Sequence, residues 1–242
     1  MTDAQSSTER LESVDLGLAL LSFASGSMDA LAFFNLGEVF PSAMTGNTAL
    51  LGLALGQGHL MAASRPFTAF AGFLAGAAVA SAGTELWLRE LPTSRAAWRL
   101  LALEACLLAV FALAWRSIDG PIEGFALYAL IVAASSAMGI QSVAAQLVGR
   151  RGITTVVFTS TLTSIVSMAT RAFLRPQHDL PLATARQIGM FLIYGVGAGI
   201  CGLFAAERAS IAVLPFVAVV GAAAVLWGAA RANSAKVDRL LR

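Results

Sequence analysis

The stretch 24-ASGSMDALAFFNLGEVFPSAMTGNTALLGLALG-56 decides how the chain is read. Most of it is apolar enough to belong in a bilayer. Yet Asp29 sits inside its first apolar run, and Thr45, Gly46, Asn47 and Thr48 open the second. Lipid offers no water to satisfy polar groups, so each one placed there must find a partner within the protein or line a cavity.

The rest of the chain agrees with a membrane setting. Of its 242 residues, 57% are hydrophobic and only 12% charged, with a mean hydropathy of +0.76. Soluble domains carry roughly 25% charged residues. Apolar runs fall at about 16–36, 43–58, 66–87, 97–116, 123–148, 154–171, 185–206 and 210–230, most of them near the roughly 20 residues that a helical span needs. Breaks such as Glu38 to Pro41, Arg89 to Pro92, Asp119-Gly120-Pro121 and Arg175-Pro176 separate them. The expected fold is an all-α integral membrane protein of about eight transmembrane helices. Six or seven remain open, because the second and sixth runs are short and polar. Residues 1–15 lack the positive start of a secretory signal, so they are expected as a disordered tail before a retained first span. Residues 231–242 form a basic C-terminal tail.

An internal repeat is also visible. Gly26-Ser27-Met28-Asp29-Ala30 in the first span is answered by Gly139-Ile140-Gln141-Ser142-Val143 in the fifth. Met44-Thr45-Gly46-Asn47-Thr48 is answered by Phe158-Thr159-Ser160-Thr161-Leu162, and the Gly72/Gly76 pair by Gly195/Gly199. Small-xxx-small spacings let helix backbones approach closely; Gly26, Gly46 and Gly139 are expected to pack in the same way. With four spans in each half, residues 16–116 and 123–230 would point the same way, related by an axis near the membrane normal. Eight spans would put Arg89, Arg95, Arg99, Arg150, Arg151 and Arg208 on one side and the other basic residues with the termini, which favours cytoplasmic termini.

At these residues the chain resembles the YoaK family, a group of bacterial multi-pass membrane proteins named as a domain of unknown function. The resemblance rests on Gly26-x-x-Asp29-Ala30, on the block from Phe40 to Thr48 with its Met-Thr-Gly-Asn-Thr, on Gly139-x-Gln141, and on the Thr-rich sixth span. It covers about 15 to 230. Ser142 and Ser160 depart from the family pattern, where Asn and Gly are usual. The resemblance implies a bacterial inner-membrane protein and carries no substrate with it.

The candidate site residues are Asp29, Thr45, Asn47, Gln141, Ser142 and Thr159. A helix rise of about 1.5 Å per residue puts Asp29 and Asn47 at similar depth across a tight hairpin, and Ser142 and Thr159 likewise in the second half. Repeat-built transporters place their sites at such a level. Burial favours a neutral carboxyl and hydrogen bonds favour the charged form, so the sequence leaves proton coupling at Asp29 open. Glu104 lies inside the fourth span, where it could snorkel or pair with Arg95 or Arg99.

Three functions compete: a secondary transporter of a small solute, a passive channel, and a non-transport membrane protein such as an assembly factor or enzyme. Transport accounts best for the repeat and the level polar pairs. An enzyme is not expected, because no His lies in a span to support Ser-His or metal chemistry. There is no P-loop, no metal-ligand spacing, and no cofactor is implied. Cys106 and Cys201 lie in apolar runs and read as buried small hydrophobes. The expected partners are the lipid bilayer and a small solute or ion. A net charge of +2 gives no reason to expect nucleic acid. The Gly pairs suit contacts within one chain or between copies, so a homo-oligomer stays open.

Overall fold

A computed structural model of the chain describes residues 2–148, 158–174, 182–204 and 211–240. Every regular element among them is a helix: α1 (Thr2–Asn35), α2 (Met44–Gly56), α3 (Leu60–Trp87), α4 (Thr93–Arg116), α5 (Gly124–Val148), α6 (Phe158–Leu174), α7 (Leu182–Leu203) and α8 (Val213–Leu240). Among the described residues, six stretches are long and apolar enough to cross a membrane: Ser13–Asn35, Leu60–Trp87, Thr93–Arg116, Gly124–Val148, Leu182–Leu203 and Val213–Ala232. The count is therefore the lower end of the expected range. The second run is a helix of 13 residues, about 20 Å long against a hydrocarbon core of about 30 Å; of the sixth, the described part is the 17 residues of α6, and 149–157 and 175–181 lie outside the described residues. Both ends of the chain continue as helix: α1 starts at Thr2, through the leader expected as a disordered tail, and α8 runs on to Leu240.

Four helices form the centre: α1 against α8, α8 against α4, α4 against α5, and α5 against α1. Outside them, α3 lies on α5 and α7 on α1, with α2 against α3 and α6 against α7. Fully buried Leu21, Met28, Leu101, Leu108, Ile131 and Val219 fill the interior. Phe34, Phe67, Val79, Leu113, Phe125 and Leu192 are exposed on the outer faces. An apolar exterior of this kind is what a lipid-facing surface requires.

Helix directions follow from paired contacts. Asp15 meets Arg186 at 2.7 Å and, further along both helices, Asp29 meets Tyr194, so α1 and α7 run the same way. Ser64 meets Tyr128 at 2.6 Å, and Ser136 donates to the Gly72 carbonyl further on, so α3 and α5 also share a direction. Between these pairs the chain reverses at the end of α1. Leu36 and Glu38 amides bond back to Ala32 and Phe33, while Gly37 (φ 81°) and Glu38 (φ 63°) both take left-handed conformations. Gly37 then lies against the Arg65 side chain in the first turns of α3. α3 thus runs back along α1, and α5 is opposed to α1. The expected axis near the membrane normal needs α5 parallel to α1; three spans rather than four on each side of the 117–123 connection explain the difference.

Glycines set the closest helix approaches. A Cβ on Gly26 would run into the Tyr194 carbonyl, and one on Gly197 into that of Phe23. A Cβ on Gly76 would meet Ser136 backbone, and one on Gly139 the Phe73 carbonyl. Gly72 faces Val132 and Ser135. Gly195 and Gly199 instead lie on the exposed face of α7 with nothing near them. The packing glycine of α7 is Gly197, half a turn from both.

Candidate functional site

The segment after α1 folds back into the bundle, which explains the opening stretch. Asp29 lies six residues before the end of α1, about 9 Å along the axis. From the turn at Gly37–Glu38 the chain descends through Val39 to Ser42, and Val39, Pro41 and Ser42 are all buried. At its lowest point the Ser42 amide donates to Asp29 Oδ1 at 2.7 Å and the Ser42 hydroxyl to Oδ2 at 2.6 Å. α2 then climbs out. Its last turn, with Ala54 and Gln57, lines a cavity of about 160 Å³ together with Gly37, Glu38, His59 and Arg65, level with the end of α1. The second apolar run is a re-entrant arm.

Asn47 holds the arm's bend in shape. Its Oδ1 accepts from the Phe40 amide at 3.0 Å and its Nδ2 donates to the Phe40 carbonyl at 2.7 Å. The Asn amide carries its acceptor and donor on separate atoms, so one side chain meets both backbone groups of Phe40. The Phe40 ring stacks on Phe33, with centroids 5.2 Å apart, and its other side covers Gly46, where a Cβ would come within 3.0 Å of the ring. The Phe40 to Asn47 block is thus a self-closing loop. Thr45 is exposed on the arm, outside the Asp29 cluster, and Thr48 bonds back to the Met44 carbonyl.

Tyr194 completes the node. Its hydroxyl donates to Asp29 Oδ2 at 2.7 Å, bringing α7 to the same carboxyl. Asp29, 2% exposed, joins α1, the arm and α7. Hydrogen bonds to a charged acceptor contribute about 1.5–3 kcal/mol each, which is how a carboxylate is tolerated here. One turn earlier on α1, Ser25 accepts from Gln141 Nε2 at 2.7 Å, and the same nitrogen reaches the Leu21 carbonyl at 3.1 Å. Gln141 therefore adds α5 to the polar seam next to Asp29. Ser142, its neighbour, is only partly buried. The Thr159 side chain lies outside the described residues.

Ser42 and Tyr194 are absent from the sequence-derived set. Ser42 sits in what reads as a loop, and Tyr194 stands just before the Gly-rich run 195–202, where no local pattern reveals its partner. The expected Asp29–Asn47 pairing is replaced by Asp29–Ser42 and Asn47–Phe40. The reason is geometric: the non-helical segment after α1 reaches Asp29 at Ser42, five residues before Asn47. Glu104 neither snorkels nor pairs with an arginine; it is fully buried.

Six apolar spans around a carboxyl-centred node, with a re-entrant arm, define a polytopic α-helical membrane protein. The chain belongs to the family described as "Protein of unknown function (DUF1275)", which matches residues 17–227. It is similar to the UPF0700 transmembrane protein YoaK of Bacillus subtilis (strain 168), with 35% identity over 194 residues, 77% of this chain and 81% of that protein. No solved structure matches it.

Proposed function

We propose that this chain is a secondary transporter of a small solute in a bacterial inner membrane, with no enzymatic activity. The observation that carries this reading is the re-entrant arm, whose buried tip is held by Asp29 between α1 and α7. Irregular backbone at membrane depth is tolerated where it is enclosed by protein or lines a cavity. In repeat-built transporters, such broken elements meet at the substrate site. This reading takes Asp29, Asn47, Gln141 and Ser142 as the site, with Ser42 and Tyr194 added. Thr45 lies at its edge, and Thr159 is its expected counterpart from the second half.

An inverted repeat supports the reading. The Gly26–Tyr194 contact has its counterpart in Gly139–Phe73, and Gly197–Phe23 in Gly76–Ser136. Exchanging α1 with α5 and α3 with α7 turns each contact into the other. The three spans α1, α3 and α4 then match α5, α7 and α8 in the opposite orientation, about an axis in the membrane plane.

The test is a thermal-shift screen of purified protein against metabolites and ions, followed by flux of each stabiliser into proteoliposomes. A ligand that binds the native state raises its melting temperature. Wild-type flux that is lost in Asp29→Asn, with the variant still folded, is expected. A stabiliser that binds but is never carried would overturn transport in favour of a non-transport role. Flux that survives Asp29→Asn would move the site elsewhere.

A further inference from the structure

Among the described residues, the site above leaves one buried carboxyl unused. Glu104 stands eleven residues after Thr93 and twelve before Arg116, so about 16 and 18 Å from the ends of α4. It falls in the middle of that helix's buried stripe, with Ala97, Leu101, Leu108, Phe111 and Trp115. Its exposure is 0%, and neither Oε1 nor Oε2 has a hydrogen-bond partner. Asp29, at comparable burial, is satisfied by three hydrogen bonds from Ser42 and Tyr194. These two buried carboxyls are built in opposite ways.

Among the described residues, no cation faces Glu104 to balance a charge. α5 and α8 are the helices packed on α4. Within α5 the one titratable side chain is Tyr128, whose hydroxyl is engaged with Ser64. Within α8 they are Arg231, Lys236, Asp238 and Arg239, all in its C-terminal part, and Arg231 stacks on Trp227. On α4 itself, Arg95, Arg99 and Arg116 lie toward the ends and Cys106 faces outward. An unpaired carboxylate in such a place is far more costly than a neutral acid. A metal ion would need several oxygen ligands, and the described residues contain no cluster of three or more His, Cys, Asp or Glu.

We infer that Glu104 is a proton-binding site at the centre of the span bundle. It is occupied in the conformation described here and released when α4 shifts against α5 and α8 and lets water in. In the transport reading this makes Glu104 the coupling group and Asp29 the clamp on the re-entrant arm. Only that use of the proton rests on the transport reading; the exchange itself does not.

Infrared difference spectra of the purified full-length protein, taken between acid and alkaline pH, test the site. The protonated-carboxyl band should weaken as pH rises in wild type, and that change should be missing from Glu104→Gln. A lipid-soluble carbodiimide, which attacks protonated carboxyls, should modify Glu104 at a rate that falls with rising pH and is indifferent to sodium or potassium. A pH-independent band and labelling rate would make Glu104 a permanently neutral structural acid and overturn the proposal. Protection by sodium or potassium would overturn it in favour of a metal cation. If the proton signal holds while no solute is carried, the transport reading fails and the proton site stands.

Discussion

At the scale of single residues, Asp29 and Glu104 differ in what surrounds them more than in how deep they lie. Asp29 accepts from Ser42 and Tyr194, and its cost of burial is offset by those bonds. Removing one donor should therefore be measurable. Tyr194→Phe deletes the hydroxyl that donates to Asp29, and is expected to cost about 1.5–3 kcal/mol, read as a lower melting temperature in detergent. Ser42→Ala should cost less, because its amide still donates to Oδ1. Combined, the two changes should depart from additivity, since they share one acceptor. Full additivity would mean that the three groups do not act as one node. The same scale explains the Met-Thr-Gly-Asn block: Asn47 is fixed by Phe40, so Asn47→Asp should loosen the arm by taking away the donor to the Phe40 carbonyl.

At the scale of elements, helix approach is set by which glycines face a neighbour. Gly26, Gly76, Gly139 and Gly197 abut the backbone of a neighbouring helix, whereas Gly195 and Gly199 have open space. Gly76→Ala must push α3 away from α5 and is expected to destabilise by about 1–3 kcal/mol, the usual cost of overpacking. Gly199→Ala should stay within about 0.5 kcal/mol of wild type, as exposed substitutions do. Equal effects of the two in a thermal melt would contradict the packing described. This contrast marks where sequence reading stops. Hydropathy places the eight helices well, because apolar run length is local. It also singles out Asp29, Asn47 and Gln141, whose polarity stands out in apolar surroundings. It cannot say which of Gly195, Gly197 and Gly199 meets α1, since that depends on helix rotation. Nor can it see the re-entrant arm: a 13-residue helix and a short span look alike until the non-helical descent through Pro41 and Ser42 is in view.

At the scale of the whole molecule, the number of crossings decides which side each connection faces. Eight spans put 88–92 opposite the termini and 117–122 with them; six spans exchange the two. The exchange also regroups the basic residues. With six spans, only Arg65, Arg116 and Arg208 fall opposite the termini, and the rest of the sixteen Lys and Arg residues fall with them. Such an asymmetry is a strong positive-inside signal, so the prediction is that both termini face the cytoplasm. Cysteine scanning tests orientation and span count together. Cys106 and Cys201 are first replaced, and Glu90→Cys and Asp119→Cys are then introduced singly. A membrane-impermeant maleimide applied to intact cells should label Asp119→Cys and reach Glu90→Cys only after permeabilisation. A reporter active only in the cytoplasm should work when fused after Arg242. The reverse labelling with the same reporter result would restore eight spans and the parallel repeat. Reversed labelling with a silent reporter would keep six spans but turn the protein over in the membrane. The expected pattern would leave α2 and its partner in the second half entering from opposite faces, as an alternating-access carrier built from inverted halves requires.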